Sequence, residues 1–340
     1  MEFSKKYPLV SIVSCFYNRT DNIHQSVESL LGQTYPNLEV ILVDDGSTDD
    51  TLRKLSSYQD ARIKLISHSN KGFVRTLREA ISLSEGEVIA IHGSGDISFP
   101  TRIEKQANVL IENADVGVVG CYVRSFNVIR KKWDIFRPII EKDQLKGLIE
   151  RNPFTHGEVI FRRTCYEQVG GYREFFQFAQ DRDLWLRMAS TTRFYIVPEI
   201  LYQREIVMGS VTKNPIKSRK QAYLSEFAIH CAIMRQKEGY DPLERNGADA
   251  FQSIERERNS RLSVRLRNMA HYYLADGSIA DANKLISESI SLDPSSDKSR
   301  YLAAIMSLAE KNNIFAKCLH LLFRWRMELI HHRNNKEIRH

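Results

Sequence analysis

Several clusters of side chains in this sequence could act on a bound molecule. Tyr17 follows an apolar run, Leu9 to Cys15. An aromatic ring there can stack on a nucleobase, a contact worth about 1–3 kcal/mol, or it can pack in the core. Asp45 follows a second apolar run, Leu38 to Val43, and can accept a hydrogen bond from a base N–H or a ribose hydroxyl. Asp45-Gly46-Ser47 is also turn chemistry, so a turn or helix cap is the plain alternative. Gly93-Ser94-Gly95-Asp96 follows a later apolar stretch, Val88 to Ile91. Its glycines can turn backbone N–H groups toward an anion, and its carboxylate is a hard oxygen ligand suited to a divalent cation. Asp181 opens a helical pattern, where a carboxylate can cap the helix and stays ionised readily. His156, beside Gly157, is either a ligand-facing group or a satisfied structural histidine.

The elements that must position these groups follow from hydrophobic spacing. Leu9 to Cys15, Leu38 to Val43, Ile63 to Ser67 and Val88 to Ile91 are short apolar runs of strand type. Between them, Asn22 to Leu31, Asp49 to Tyr58 and Gly72 to Ser84 carry helical spacing. Strand–helix alternation predicts a mostly parallel sheet with helices on both faces. Ligands in such sheets bind beyond the carboxyl ends of the strands. Tyr17, Asp45 and the turn at 93–96 all stand at those ends, so they should converge. Further on, Val116 to Val123, Val159 to Phe161 and Pro198 to Tyr202 read as extended, and Asp181 to Met188 as a helix with Leu184, Trp185 and Met188 facing inward.

Near Pro215 the pattern becomes helical, and two domains are expected, 1–215 and 216–340. Ala270 to Pro294 reads as a helical hairpin of tetratricopeptide type, present once. The 340 residues are 42% hydrophobic and 27% charged, as in a globular chain with its own core. No apolar stretch is long enough to span a membrane, and Met1 to Pro8 does not read as a signal peptide, so a cytoplasmic setting is expected. The five scattered cysteines have no metal-site or redox spacing. A formal charge of +7 favours anionic partners.

Four blocks narrow the reading. "VSIVSCFYNRTDNIHQSVESLLGQTYPNLEVILVDDGSTDDT" from Val10, "NKGFVRTLREAISLSEGEVIAIHGSGDISFPTRIEKQ" from Asn70, "HGEVIFRRTCYEQVGGYRE" from His156 and "AQDRDLWLRMASTTRFYIVPEILYQR" from Ala179 occur in this order. Together they resemble the family 2 glycosyltransferases of the GT-A fold, over roughly residues 8 to 212. The resemblance implies an α/β GT-A domain, Rossmann-like, followed by a C-terminal helical region. It implies inverting transfer of a sugar from a nucleoside diphosphate sugar to a hydroxyl of a glycan or lipid-linked acceptor, in surface polysaccharide synthesis. It makes Tyr17 and Asp45 nucleotide contacts. It makes Asp181 the base that removes the acceptor proton, help of about 10²–10⁴-fold, with Asp183 as the neighbouring alternative. Asp96, His156 and Arg75 fall on the diphosphate or acceptor side.

The family's metal motif is Asp-x-Asp followed by another Asp. Here Gly93 and Gly95 replace the first two carboxylates and Asp96 alone remains. Three explanations stay open. Asp96, with His92 or His156, holds Mn²⁺ or Mg²⁺ in altered geometry; the glycine N–H groups, helped by Arg75 and Arg78, replace the metal; or the chain is a catalytically silent nucleotide-binding or assembly protein. The family's histidine shortly after "LYQR" is also missing, since Glu205, Ile206 and Val207 stand there. The basic, aromatic-bearing tail from Ile314 to Ile330 suits either packing on its own domain or peripheral contact with an anionic membrane. Nucleic-acid binding is not expected.

Overall fold

The computed structural model describes residues 7–127, 132–204, 214–256, 258–312 and 315–325. The chain divides into two compact units, Met1–Met208 and Gly209–His340.

In the first unit, β1 (Val10–Phe16) is buried at every position, as expected of an apolar strand covered on both faces. It pairs in parallel with β2 (Leu38–Asp44) on one side. The helix α1 (Ile23–Leu31) lies between them in sequence, and α2 (Thr51–Leu55) leads to β3 (Ile63–Ser67), which is parallel to β2. After α3 (Phe73–Ser82), β4 (Val88–Ile91) returns to the other side of β1, again parallel. The order β3-β2-β1-β4 therefore reverses direction between β1 and β4, and crevices open at such switch points.

The remaining elements are β5 (Ile97–Ser98), α4 (Arg102–Glu112), β6 (Val116–Asn127), β7 (Lys132–Phe136), α5 (Gln144–Glu150), β8 (Ile160–Arg162), α6 (Arg163–Gln168), α7 (Gln180–Met188) and β9 (Arg193–Arg204). They extend the sheet to β3-β2-β1-β4-β8-β6-β9-β5, with β7 paired to β6. The strand β8 runs antiparallel to β4 and β6, whereas β6 and β9 are parallel. Ile23, Val27 and Leu30 of α1 and Ile103, Ala107 and Leu110 of α4 form one core with Ile12, Val40 and Ala90 of the sheet.

The helix expected over Asp49 to Tyr58 is shorter. The Ser56 and Ser57 hydroxyls donate back to the carbonyls of Leu52 and Lys54, a local bond that competes with helix continuation. The extended reading at Pro198 to Tyr202 is the end of the long strand β9.

The second unit is helical: α8 (Pro215–Glu238), α9 (Pro242–Asn246), a 3₁₀ turn Gly247–Phe251, α10 (Gln252–Arg256), α11 (Ser260–Ala275), α12 (Ile279–Leu292) and α13 (Asp297–Lys311), with a helical stretch at 315–325. Asn214, Asn259 and Ser296 cap α8, α11 and α13 through their side chains. The hairpin expected at Ala270 to Pro294 is α11 turning into α12 at Gly277, whose φ is 86°. Leu266, Ala270, Ala282 and Ile286 are buried in it. In the 315–325 stretch Leu319 and Phe323 are buried while Leu321, Leu322 and Trp325 are exposed. Met327 and Leu329, read with them from the sequence, lie outside the described residues. Among those residues no helix is long and apolar enough to cross a membrane.

Gly46 illustrates how tightly the strand ends are drawn together. Its φ is +71°, and a Cβ there would lie 2.4 Å from the backbone nitrogen of Asn70. Gly46→Ala is expected to lower the unfolding free energy by at least about 1–2 kcal/mol, the left-handed conformation alone being that unfavourable to L-residues. Denaturant titration checks this.

Candidate active site at the strand ends

Beyond β1, Tyr17 is 50% exposed, so it does not pack in the core. Asn18 has a left-handed backbone, φ 49°. Its Oδ1 accepts from the Thr48 N–H at 2.8 Å and its N–H donates to Ser47 Oγ at 3.0 Å. These bonds lash the Tyr17 loop to the loop after β2.

Asp45 is only 4% exposed. Its carboxylate accepts from the Lys71 N–H at 2.8 Å, the Gly72 N–H at 3.1 Å and the Thr76 hydroxyl at 2.8 Å. It thus clasps the loop that enters α3, and the first turn of that helix, from a different element. Next to it, the buried Oδ1 of Asp44 has no hydrogen-bond partner among the described residues.

The turn after β4 is knotted by Tyr202. The Tyr202 hydroxyl donates to Asp96 Oδ2 at 2.7 Å and accepts from the Gly93 N–H at 2.9 Å. A Cβ on Gly93 would lie 2.3 Å from Asp96 Oδ2, and one on Gly157 would lie 2.2 Å from the Tyr202 hydroxyl. Both glycines are therefore requirements of this contact. His92 is 2% exposed. Its Nε2 meets Ser26 Oγ at 3.0 Å and the Asp96 carbonyl at 3.1 Å, and its Nδ1 meets Ser98 Oγ at 3.2 Å. Burial, helped by the nearby Arg102 guanidinium, pushes its pKa down to about 3. Arg102 is itself wholly buried, donating to Ser98 Oγ and the Ile91 carbonyl.

On the other side, His156 sits in a left-handed conformation, φ 85°, unusual for a non-glycine residue. Its Nε2 shares a 2.8 Å hydrogen bond with the Tyr172 hydroxyl. Its ring stands 5.9 Å from that of Phe73 at the start of α3 and 6.4 Å from that of Trp185 on α7. Burial lowers its pKa, while the Asp181 carboxylate acts in the opposite sense.

Asp181 lies in the first turn of α7, whose N-cap is Ala179, so it does not cap the helix. The residue is partly exposed, and its Oδ2 accepts from Asn152 Nδ2 at 2.7 Å. The Asn152 Oδ1 in turn accepts from the Phe154 N–H at 3.2 Å, which fixes the orientation of the amide. Asp183 is fully buried between Arg173 and Arg187. Sealed between two guanidinium groups, it has no path to a substrate proton.

The groups are brought together through α3 and the loop at 152–157. Asp45 anchors α3, Phe73 of α3 meets His156, and Gly157 abuts the Gly93 turn. The Asp45 carboxylate helps burial raise the Cys15 thiol pKa. Asp181 and Cys15 likewise add to the burial that raises Tyr172. Arg75 is exposed and bridges to Glu79, and Arg78 bridges to Glu174. The residues Glu205, Ile206 and Val207 lie outside the described residues.

The donor set does not suit a divalent cation. Among the described residues no group of three or more His, Cys, Asp or Glu side chains could hold a metal ion. His92 is committed to Ser26, Ser98 and the Asp96 carbonyl, and His156 to Tyr172. The glycine N–H groups of the turn are not open to an anion either. The N–H of Gly93 goes to Tyr202, that of Gly95 to Ser26 Oγ at 3.2 Å, and that of Asp96 to the Gly93 carbonyl at 3.0 Å.

Sequence reasoning passed over Asn152, Tyr172 and Tyr202. Tyr202 stands within the "LYQR" block but gave no local sign of a role. Asn152 carries no signal at all, because its relevance arises only when α7 folds beside it.

Comparisons with known proteins bear on the family and the fold. The sequence model of a family described as Glycosyl transferase family 2 matches residues 11–170. EpsE of Bacillus subtilis, which bears the name of a glycosyltransferase, is 34% identical over 203 residues, 58% of this chain and 72% of EpsE. Chondroitin synthase of Escherichia coli is 30% identical over 252 residues, 70% of this chain and 35% of that protein. Among solved structures, the mannosyltransferase PcManGT of Pyrobaculum calidifontis, in complex with GDP-Man and Mn²⁺, aligns with a TM-score of 0.53 at 19% identity, over 93% of this chain and 87% of that one. TarS 1-349 of S. aureus, in complex with UDP-GlcNAc, aligns with a TM-score of 0.55 at 16% identity, over 93% and 89%.

The depressed His92 pKa has a consequence for stability. The unfolded imidazole binds a proton near pH 6.5, whereas the folded one does so only near pH 3. Between those values the unfolded state holds the extra proton, so His92 contributes stability above pH 6.5 that is lost as pH falls toward 3. Unfolding free energy should therefore drop by up to about 1.4 kcal/mol per pH unit from this group. His92→Gln is expected to flatten that part of the curve in denaturant titrations at stepped pH.

Proposed function

The chain belongs to glycosyl transferase family 2, and on that premise we propose that its first unit is a GT-A catalytic domain. It moves a sugar from a nucleoside diphosphate sugar to a hydroxyl of a glycan or lipid-linked acceptor, with inversion, in surface polysaccharide synthesis. Tyr17 stacks on the base, and Asp45 serves the nucleotide through the α3 terminus that it holds. Asp96, His156 and Arg75 stand on the diphosphate and acceptor side. Asp181 removes the acceptor hydroxyl proton as the oxygen attacks the anomeric carbon. The anomeric C–O bond breaks, its electrons pass to the departing diphosphate, and the proton stays on Asp181. The helical unit, 216–340 in this reading, offers the exposed Leu321, Leu322 and Trp325 with Lys317 and Arg324 for peripheral contact with anionic lipid.

One observation carries the proposal. Asp181 is a partly exposed carboxylate held at Oδ2 by an oriented amide, whereas its neighbour Asp183 is sealed between arginines. That is the arrangement a general base needs: fixed in place and open to a substrate. The names of EpsE and chondroitin synthase, and the nucleotide sugars bound by PcManGT and TarS, point the same way.

Asp181→Asn should reduce kcat about 10²–10⁴-fold and leave nucleotide binding intact, read by transfer assays across UDP-, GDP- and dTDP-sugars and by calorimetry. Unchanged turnover would remove Asp181 as base. Asn152→Ala should lower kcat roughly tenfold with the donor KM unchanged, since misplaced catalytic groups lose rate more than binding. A rise in KM alone would assign Asn152 to binding instead.

A further inference from the structure

The family resemblance would place a divalent cation at the turn after β4, and the side chains there do not fit one. We propose that this chain handles the diphosphate without a divalent cation and that Arg204 supplies the positive charge. The inference rests on the nucleotide-sugar reading above.

The first ground is steric. A side chain at Gly93 would overlap Asp96 Oδ2, and Gly95 holds φ +89°, a conformation that an aspartate adopts only with strain. Acidic ligands at these two positions are thus incompatible with the turn as folded. The second is the state of the remaining groups. Asp96 is 8% exposed with Oδ2 engaged by the Tyr202 hydroxyl, and both His92 nitrogens face hydroxyl or carbonyl oxygens. The backbone N–H groups of Gly93, Gly95 and Asp96 are already donated within the fold.

A carboxylate near a diphosphate, with no cation between, is repulsive, so the charge must come from a side chain. The antiparallel register pairs Ile97 with Gln203 and Ser98 with Tyr202. One step further along the same register, Arg204 falls opposite Asp96, on the side of β9 that Tyr202 uses to reach the turn. Arg204 is partly exposed, and no salt bridge joins it to another described residue. Arg75 and Arg78, in contrast, are already paired with Glu79 and Glu174. A guanidinium is permanently charged and its planar fork matches phosphate oxygens. As the anomeric C–O bond breaks, the electron pair goes to the β-phosphate oxygen and Arg204 offsets the added charge, with no proton transfer to the leaving group.

The test has two arms on the full chain. Mn²⁺ alone is titrated against the protein and followed by its EPR signal. UDP, GDP and dTDP are then titrated by calorimetry in MnCl₂ and in EDTA. The expected result is an undiminished free Mn²⁺ signal and nucleotide affinities that agree within about twofold between buffers. Arg204→Ala should weaken nucleoside diphosphate binding about 10–100-fold while leaving the affinity for the bare nucleoside unchanged. Arg204→Gln, similar in length and polar, guards against a folding defect. Stoichiometric Mn²⁺ binding that Asp96→Asn abolishes would overturn the cation-free turn. A tenfold tightening of nucleotide by Mn²⁺ would do the same. Unchanged diphosphate affinity in both Arg204 variants would overturn the role of the arginine. Absence of nucleotide binding in either buffer would sink the donor reading and this proposal with it, whereas the Mn²⁺ arm reads the turn independently of that reading.

Discussion

The hydroxyl of Tyr202 is the point on which the site depends. It donates to Asp96 Oδ2 and accepts from the Gly93 N–H, so one oxygen from β9 holds both ends of the turn after β4. The contact is possible only because Gly93 and Gly157 lack a Cβ. It joins three parts of the chain that are far apart in sequence: the end of β4, the loop before β8, and β9. Beneath it Arg102 stands 5.0 Å from the Tyr202 ring and reaches the Ile91 carbonyl at the end of β4, so the contact is braced from the core side. A buried polar cluster is favourable only when its members are satisfied, and this one is largely so.

A second anchor works at the end of β2. Asp45 gathers two backbone N–H groups and a hydroxyl at the start of α3. This brings Phe73 against His156 and carries the β2 end into contact with the α7 region. The carboxylate that reads most readily as a ligand group in the sequence is thus also a structural clasp. In the proposed enzyme, substitution of Asp45 would disturb the nucleotide side and the His156 side together, because both hang from one helix terminus.

The charged residues on α7 show how burial sorts chemically identical groups. Asp181 and Asp183 are two positions apart, and their environments differ completely. Asp183 faces the interior and is neutralised by Arg173 and Arg187. Asp181 is partly exposed, with an amide partner. A buried ion pair with one member removed is strongly destabilising, so Asp183 belongs to the architecture of α7. In the proposed enzyme, Asp181 is the member left to act as base.

Much of this was legible without coordinates. The short, mostly apolar runs at 9–15, 38–43, 63–67 and 88–91 read as strands; those of β1 and β4 are buried throughout, whereas β3, with Lys64 and Ser67, is partly exposed. Parallel strands in turn place the residues after each run at one end of the sheet. That local logic put Tyr17, Asp45 and the 93–96 turn in one region, and the family resemblance supplied Asp181. The sequence could not decide which donors each group would meet. Which donors the Asp45 carboxylate would meet, and whether the Gly93 N–H stayed open to an anion, depended on contacts across 26 to 109 residues. The pairings of Asn152 with Asp181 and of Tyr202 with Asp96 were decided only by the packing of α7 and β9 against the sheet. Periodicity fixes which face a side chain leaves by; only the packed neighbours determine what it finds there.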